Sequence, residues 1–392
     1  MKRIAVIGAG AAGCFCAAEL RRRLPVVKVD VYESGPKPLA KVAITGGGRC
    51  NLTNSFEGIR SLSEAYPRGE RLMKRLLRVF SQEDTWRWFE DAGVPLVLQD
   101  DHCVFPRSQD AMDIVYALLR RMEGANLLLR TPVHAIGPDL TVDGEKYDAV
   151  VVTTGGAPKG LPLLEGLDLE WVPTVPSLFT FTIQDEGLRA LMGLVVEATV
   201  SLPGTAFKAD GPLLITDWGL SGPAVLKLSS YAARHLHDAG YHAPLSVNWL
   251  SLSEADTRAL LEELSTANPR KQVSNTPPAG LQVRLWNHLT DKAGLRPDIR
   301  WAELGSKGLN KLVNTLTQDS YTIAGKTRFR DEFVTCGGVA LSNLNPATLE
   351  SKQYPGLYFA GEVLDIDAIT GGFNLQAAWT TGYVAAQSIA SK

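Results

Sequence analysis

Directly behind three adjacent glycines, the stretch Thr45-Gly46-Gly47-Gly48-Arg49-Cys50-Asn51 places a guanidinium, a thiol and a carboxamide in a row. Side chains of these types can hydrogen-bond or polarise a flat polar ligand, and glycines let the backbone itself lie against it. From Val42 to Asn54 the chain is too rich in glycine and polar residues for a helix or a central strand, so it is expected as a loop. Arg49, Cys50, Asn51 and Cys336 are the candidate catalytic groups, with Asn374 as a further polar candidate. No Ser-His-Asp arrangement and no evident general base stand beside them. For the Cys50 thiol, a buried packing role is the stronger reading.

Something must position these groups, and the N-terminus supplies it. Arg3 to Ile7 reads as a short buried strand, Gly8-Ala9-Gly10-Ala11-Ala12-Gly13 follows at once, and Cys14 to Leu24 reads as a helix that Pro25 stops. Gly8 permits the tight turn, Gly10 lets backbone approach a pyrophosphate, and Gly13 lets helix and strand pack closely beside Ala12. The free N–H groups and positive dipole end of the helix suit phosphate oxygens. Val26 to Tyr32 forms a second strand, and Glu33, twenty residues after Gly13, can accept hydrogen bonds from an adenosine ribose. This pattern predicts a dinucleotide site and leaves open which dinucleotide.

Two further turns share that design. Tyr147 to Thr153 is a buried-looking strand running into Thr154-Gly155-Gly156. Leu357 to Phe359 runs into Ala360-Gly361-Glu362, followed by Asp365, Asp367, Thr370-Gly371-Gly372-Phe373-Asn374 and a helix from about Leu375 to Ala390. Dipoles at such helix starts favour negative charge on the N1/C2=O edge of a reduced flavin, and Glu362 could hold ribitol hydroxyls. Lys41, Val133, Asp367, Phe373 and Leu375 complete the expected cofactor contacts.

Between these ends the pattern changes. Phe179 to Thr182, Val196 to Leu202 and Leu245 to Leu250 alternate as strands do. Ser253-Glu254-Ala255-Asp256 resembles a capping sequence ahead of Leu260, Leu261 and Leu264, and Leu281, Leu285 and Leu289 repeat the helical spacing. Asn310 to Leu316 adds a third helix, and Trp286 and Trp301 read as core rather than as pocket walls.

A net charge of −2 and a pI near 6.3 argue against a dedicated nucleic-acid binder and favour small-molecule chemistry. The five cysteines show no CxxC spacing and suit reduced thiols in a cytoplasm. The six histidines show no zinc-like pairing, and no metal is expected. Lys2 and Arg3 before the apolar stretch Ile4 to Ala18 imitate a secretory signal, but the glycines inside it are better explained by the dinucleotide turn. A cytoplasmic protein with no membrane span is expected.

GAGAAG, KVAITGGGRCNLTN, VFPRS at Val104 to Ser108, GLSGPAVL at Gly219 to Leu226, CGGV at Cys336 to Val339 and GLYFAGEVLDIDAITGGFNLQAAWTTG at Gly356 to Gly382 resemble the BaiN/aminoacetone-oxidase-like family of bacterial FAD-dependent oxidoreductases, the YhiN-like flavoproteins. The resemblance implies FAD on an α/β, Rossmann-like domain built from both chain ends, an inserted β-rich, barrel-like domain and a small helical module. The expected boundaries are 1–170, 171–251, 252–320 and 321–392. It implies that TGGGRCN and GGFN flank the isoalloxazine. The expected reaction moves hydride between flavin N5 and an amine or a conjugated enone or ketone, with oxygen or a transient NAD(P)H as redox partner. A flavin-binding scaffold without turnover and a flavin-free NAD-dependent dehydrogenase stand as alternatives. Two departures fall where substrate contacts are expected: the turn after TGG is shortened to Ala157-Pro158-Lys159-Gly160, and Asp217 replaces a histidine ahead of GLSGP.

Overall fold

In the computed structural model, which describes residues 2–156, 161–326 and 334–392, five strands assemble into one parallel sheet. Its strands are β1 (Arg3–Ile7), β2 (Lys28–Tyr32), β3 (Asn126–Leu128), β4 (Ala149–Val152) and β5 (Leu357–Phe359), in the order β5-β4-β1-β2-β3. Helices cover both faces of such a sheet, so its central strands read as unbroken apolar runs. Accordingly every residue of β4 is buried, and only Arg3 of β1 is not. Strand order reverses beside β1, which pairs with β2 on one side and β4 on the other. Doubly wound sheets bind ligands outside the carboxyl ends of their strands at such a reversal.

Helix α1 (Ala11–Arg23) follows β1 directly and ends in Arg21, Arg22 and Arg23, cations that suit the negative end of its dipole. The segment expected as a loop begins as a helix, α2 (Ala40–Gly48), and this corrects the sequence reading. Ala40 to Ile44 hold a helical turn because the Leu39 N–H is anchored on the Ala9 carbonyl at 2.8 Å and Val42 is buried. Helical geometry then fails at Thr45, which is extended, and at Gly46 and Gly47, where the backbone swings to positive φ. The last helix, α3 (Phe373–Ala390), packs in the same core as α1 and the helix Ala111–Arg121.

The chain divides into two compact units, Met1–Pro176 with Val334–Lys392, and Ser177–Phe333. In the second, Phe181–Ile183, Gly219–Ser221, Lys208–Ile215, Val195–Ser201, His242–Asn248 and Asp319–Lys326 close an antiparallel six-stranded barrel. The helices do not form a module of their own, because Leu261, Trp286, Leu312 and Leu316 share one apolar core with the barrel residues Phe181, Val200 and Leu245. Nor does the barrel end near 251, since Asp319–Lys326 is its closing strand; the expected boundary at 320/321 cuts through that strand. Trp286 and Trp301 are fully buried, with Trp286 Nε1 donating to the Val273 carbonyl at 2.7 Å and Trp301 Nε1 to Thr276 Oγ1 at 2.9 Å. In GLSGP, Gly219 and Gly222 serve the barrel: a Cβ on Gly219 would meet the Phe181 carbonyl oxygen at 2.4 Å. Asp217 is exposed, and its carbonyl accepts from Arg189 Nε at 2.5 Å. The shortened turn at 157–160 lies outside the described residues.

Candidate functional site

Gly8 and Gly13 are required by the protein itself, whereas Gly10 is not. A Cβ on Gly13 would meet the Gly8 carbonyl oxygen at 1.9 Å and Thr153 Oγ1 at 2.6 Å, so α1 can start this close to β1 and β4 only without a side chain. A Cβ on Gly10 would meet nothing within 4 Å. Only a ligand would contest that space. Gly10 caps α1 without any side-chain bond, and no acidic residue occupies the first turn, so the helix's positive end is left for an anion. Glu33 follows β2 directly, and its carboxylate accepts the N–H groups of Ala9 at 3.0 Å and Gly35 at 2.7 Å, which fixes the glycine turn against β2. Val133 lies just beyond Thr131, whose N–H donates to the Glu33 carbonyl at 2.9 Å.

Both chain ends meet at Ala12. A Cβ on Gly361 would lie 2.8 Å from the Ala12 methyl, and one on Gly382 would lie 2.7 Å from the Ala12 carbonyl oxygen. The turns after β4 and β5 also touch, since a Cβ on Gly156 would meet Glu362 Oε1 at 2.7 Å. Gly155 turns at φ 77° beside Thr154, whose hydroxyl is buried without a hydrogen-bond partner among the described residues. Glu362 Oε1 accepts from the Thr335 N–H at 2.7 Å, and Lys41 Nζ approaches its other oxygen at 3.9 Å. Lys41 is exposed, so that pair holds little energy.

The glycine loop and the C-terminal turn are joined by three side chains. Asn54 Nδ2 donates to the Gly371 carbonyl at 3.0 Å, Thr53 Oγ1 donates to Gln376 Oε1 at 2.5 Å, and Trp379 Nε1 donates to the Leu52 carbonyl at 2.9 Å. A Cβ on Gly372 would meet the Thr53 carbonyl oxygen at 2.4 Å, so the turn's closeness to the loop depends on glycine there. Asn51 Oδ1 is buried between them without a hydrogen-bond partner among the described residues. Gly46, Gly47 and Gly48 all adopt positive φ, and at Gly47 and Gly48 a Cβ would meet nothing. Gly372 caps α3 with no side-chain bond, giving a second free helix start. The buried Asn51 Oδ1 and Thr154 Oγ1, the open glycines and the two uncapped helix starts fit a pyrophosphate and a flat polar ring system.

Several expected contacts are occupied within the protein. Asn374 closes the turn on itself, accepting from the Ala368 N–H and donating to the Ala368 carbonyl, both at 2.9 Å. Asp367 is fully buried and paired with Arg68, whose Nε donates to Oδ1 at 2.6 Å. Burial opposes the Arg68 charge, yet the Asp367 carboxylate outweighs it and holds the guanidinium pKa above its ordinary value. Phe373 is buried with its ring edge-on to Phe56 at 5.0 Å, and Leu375 packs on the core of the first unit. Arg49 is exposed, its guanidinium 4.6 Å from the centre of the Phe105 ring. Cys50 is fully buried, and burial pushes its thiol up to about 12. Cys336 is buried in the strand Val334–Val339, beside the two glycines of CGGV. Sequence reasoning missed Arg68, Gln376 and Trp379, because each acts on a partner about 300 positions away and no local pattern marks them.

A parallel sheet with a glycine turn at its switch point is the architecture of dinucleotide-binding domains. The HI0933-like protein Rossmann domain family matches residues 2–388, and the chain belongs to it. It is an FAD-dependent oxidoreductase. The chain is 31% identical to the ribosomal RNA dihydrouridine synthase of Escherichia coli K12, over 98% of this chain and 97% of that one. It is 30% identical to the ribosomal RNA dihydrouridine synthase of Haemophilus influenzae, again over 98% and 97%. To the 3-dehydro-bile acid delta(4,6)-reductase of Clostridium scindens it is 27% identical over the full length of both. No described helix is long and apolar enough to cross a membrane.

Proposed function

We propose that this protein reduces a carbon–carbon double bond conjugated to a carbonyl, and that a uracil ring carried by RNA is its substrate. The bond reduced in a uridine and those reduced in a Δ4,6 3-oxo steroid share that chemistry, which unites the two activities named among the relatives. Reduced FAD, when bound, would supply the hydride for the carbon remote from the carbonyl, with the proton for the neighbouring carbon drawn from solvent.

One observation carries the cofactor half of this reading. The loop 46–51 and the turn 371–376 are held together by Asn54, Thr53 and Trp379, and Asn51 Oδ1 and Thr154 Oγ1 remain buried beside open glycines. Gly8 to Gly13 and Glu33 hold the adenosine half. Gly46 to Asn51, Thr154, Gly155 and Gly361 to Leu375 hold the flavin half, through backbone N–H groups more than through Asp367 or Asn374. Arg49 and the adjacent loop N–H groups are the donors available to polarise a substrate carbonyl. A nicotinamide or another diffusible reductant serves as electron source.

The test is anaerobic. Reduced holoprotein is mixed separately with a uridine-containing RNA, a conjugated steroid enone and an alkylamine, and the flavin absorbance is followed. Reoxidation by the RNA, with product uracil gaining two hydrogens by mass spectrometry, is the expected result. Reduced flavin that responds to oxygen alone, while oxidised flavin accepts electrons from the amine, would return the protein to amine oxidation.

A further inference from the structure

Two residues beyond Arg68, the helix Glu70–Leu76 begins. It places Arg71, Lys74, Arg75 and Arg78 at i, i+3, i+4 and i+7, one face of a helix. Arg78 stays in that row because the Arg78 and Val79 N–H groups continue the turn onto the carbonyls of Arg75 and Leu76. All four cations are exposed, while Leu72, Met73 and Leu76 on the other face are buried. Against four cations the segment 70–80 holds one carboxylate, Glu70. None of the four forms an ion pair with a carboxylate among the described residues.

These cations line a groove of about 780 Å3 whose other wall is Leu341, Leu344 and Pro346, and no acidic residue among the described residues lines it. Like charges one turn apart, as at Arg71/Arg75 and Lys74/Arg78, disfavour the helix, and the dipole relieves this only near the C-terminal end. A basic rim over an apolar floor, in a row roughly 10 Å long at 1.5 Å per residue, suits a single nucleic-acid strand with its phosphates on the rim and its sugars and bases on the floor. The net charge of −2 is an average over the whole chain and does not describe this face.

Both walls continue into the turn that follows β5. On one side Arg68 pairs with Asp367, and a Cβ on Gly69 would meet Ile366 at 2.7 Å. On the other, the chain reaches Leu341 directly from Val339, which bonds to Val363 and Asp365 at 2.9 and 3.0 Å. We infer that this groove is a docking surface for the phosphate backbone of RNA, leading the strand toward the turn 361–374. The inference rests on the proposed reduction of an RNA-borne uracil.

The test measures fluorescence anisotropy of a labelled single-stranded oligouridylate with FAD-loaded protein across a salt series. Four phosphate contacts at a slope of about 0.7 each predict a loss of affinity of roughly 50-fold over a fourfold rise in salt. Replacing Arg71, Lys74, Arg75 and Arg78 together by Gln should flatten that slope, while Arg71→Lys, Arg75→Lys and Arg78→Lys together should preserve it. FAD content and Tm report whether each variant is folded; if the Gln variant is not, the single variants Arg71→Gln and Arg75→Gln should each lower the slope by about 0.7. Unchanged affinity and slope in folded Gln variants would overturn the inference. So would loss of binding to phosphatidylserine vesicles with RNA binding intact. The two readings fail separately: RNA binding as expected without any double-bond reduction sinks the reaction, and reduction with salt-independent RNA binding sinks the groove.

Discussion

Asn54 Nδ2 donates to the Gly371 carbonyl at 3.0 Å, a single hydrogen bond that joins positions 317 residues apart in the sequence. With Thr53–Gln376 and Leu52–Trp379 beside it, this bond fastens the glycine loop to the start of the last helix. Asn54→Ala should strand the Gly371 carbonyl and weaken the clamp by about 1–3 kcal/mol. A lower Tm and a purified protein depleted in FAD are expected; full FAD occupancy and an unchanged Tm would show that the clamp does not shape the site.

The glycines of the first turn should separate by experiment. Gly13→Ala forces a methyl into the Gly8 carbonyl and is expected to destabilise the cofactor-free protein. Gly10→Ala meets only open space, so the Tm of cofactor-free protein should be unchanged while FAD affinity falls at least tenfold. A Gly10→Ala protein that retains FAD normally would remove the pyrophosphate from this turn.

Arg68 and Asp367 should behave as a unit. Asp367→Asn leaves a buried guanidinium without its counter-charge, and removing one partner of a buried pair costs roughly 3–5 kcal/mol. Urea denaturation measures the loss. A loss close to zero would mean that the pair is solvated in solution.

Acid should reveal Glu19. Its carboxylate is buried in α1, which raises its pKa, but bonds from Arg22 and Trp88 Nε1 and the nearby Arg23 outweigh burial and hold it below the reference of 4.5. A depressed folded value gives stability that is fully present above 4.5 and is lost as pH falls through the folded value. The gap in unfolding free energy between the wild type and Glu19→Gln should therefore be constant above pH 5 and narrow below about 4.5. A gap independent of pH would show that the carboxylate's charge is not used.

Thiol reagents should find little to attack. All five cysteines are buried, with burial pushing Cys50 up to about 12 and Cys103 up to about 11, so neither is a thiolate at neutral pH. Native protein should react with a disulfide reagent no faster than it unfolds. Rapid labelling of Cys50 would instead mark it as a reactive group in the site.

The dinucleotide turn was legible in the sequence because its determinants are local: a strand, glycines at fixed offsets, a helix and an acidic residue, all within the first 33 positions. Three of the six barrel strands, near 181, 196 and 245, and the capping Ser253 were legible for the same reason, since period-two alternation and capping bonds act over a few residues. Helical structure at Ala40 to Ile44 escaped, because the Ala9 carbonyl that anchors Leu39 comes from a different part of the chain. The helices at 254–317 read as a module until the strand Asp319–Lys326 closed the barrel around a core they share. Expected ligand contacts at Asp367 and Asn374 proved to be ties within the protein, a distinction that depends on where Arg68 and the Ala368 backbone lie. Sequence alone thus determined which residue types could hold a phosphate and a flat ring. Tertiary structure decided which of them are free to do so, because a side chain's availability depends on partners that only folding brings within hydrogen-bond reach.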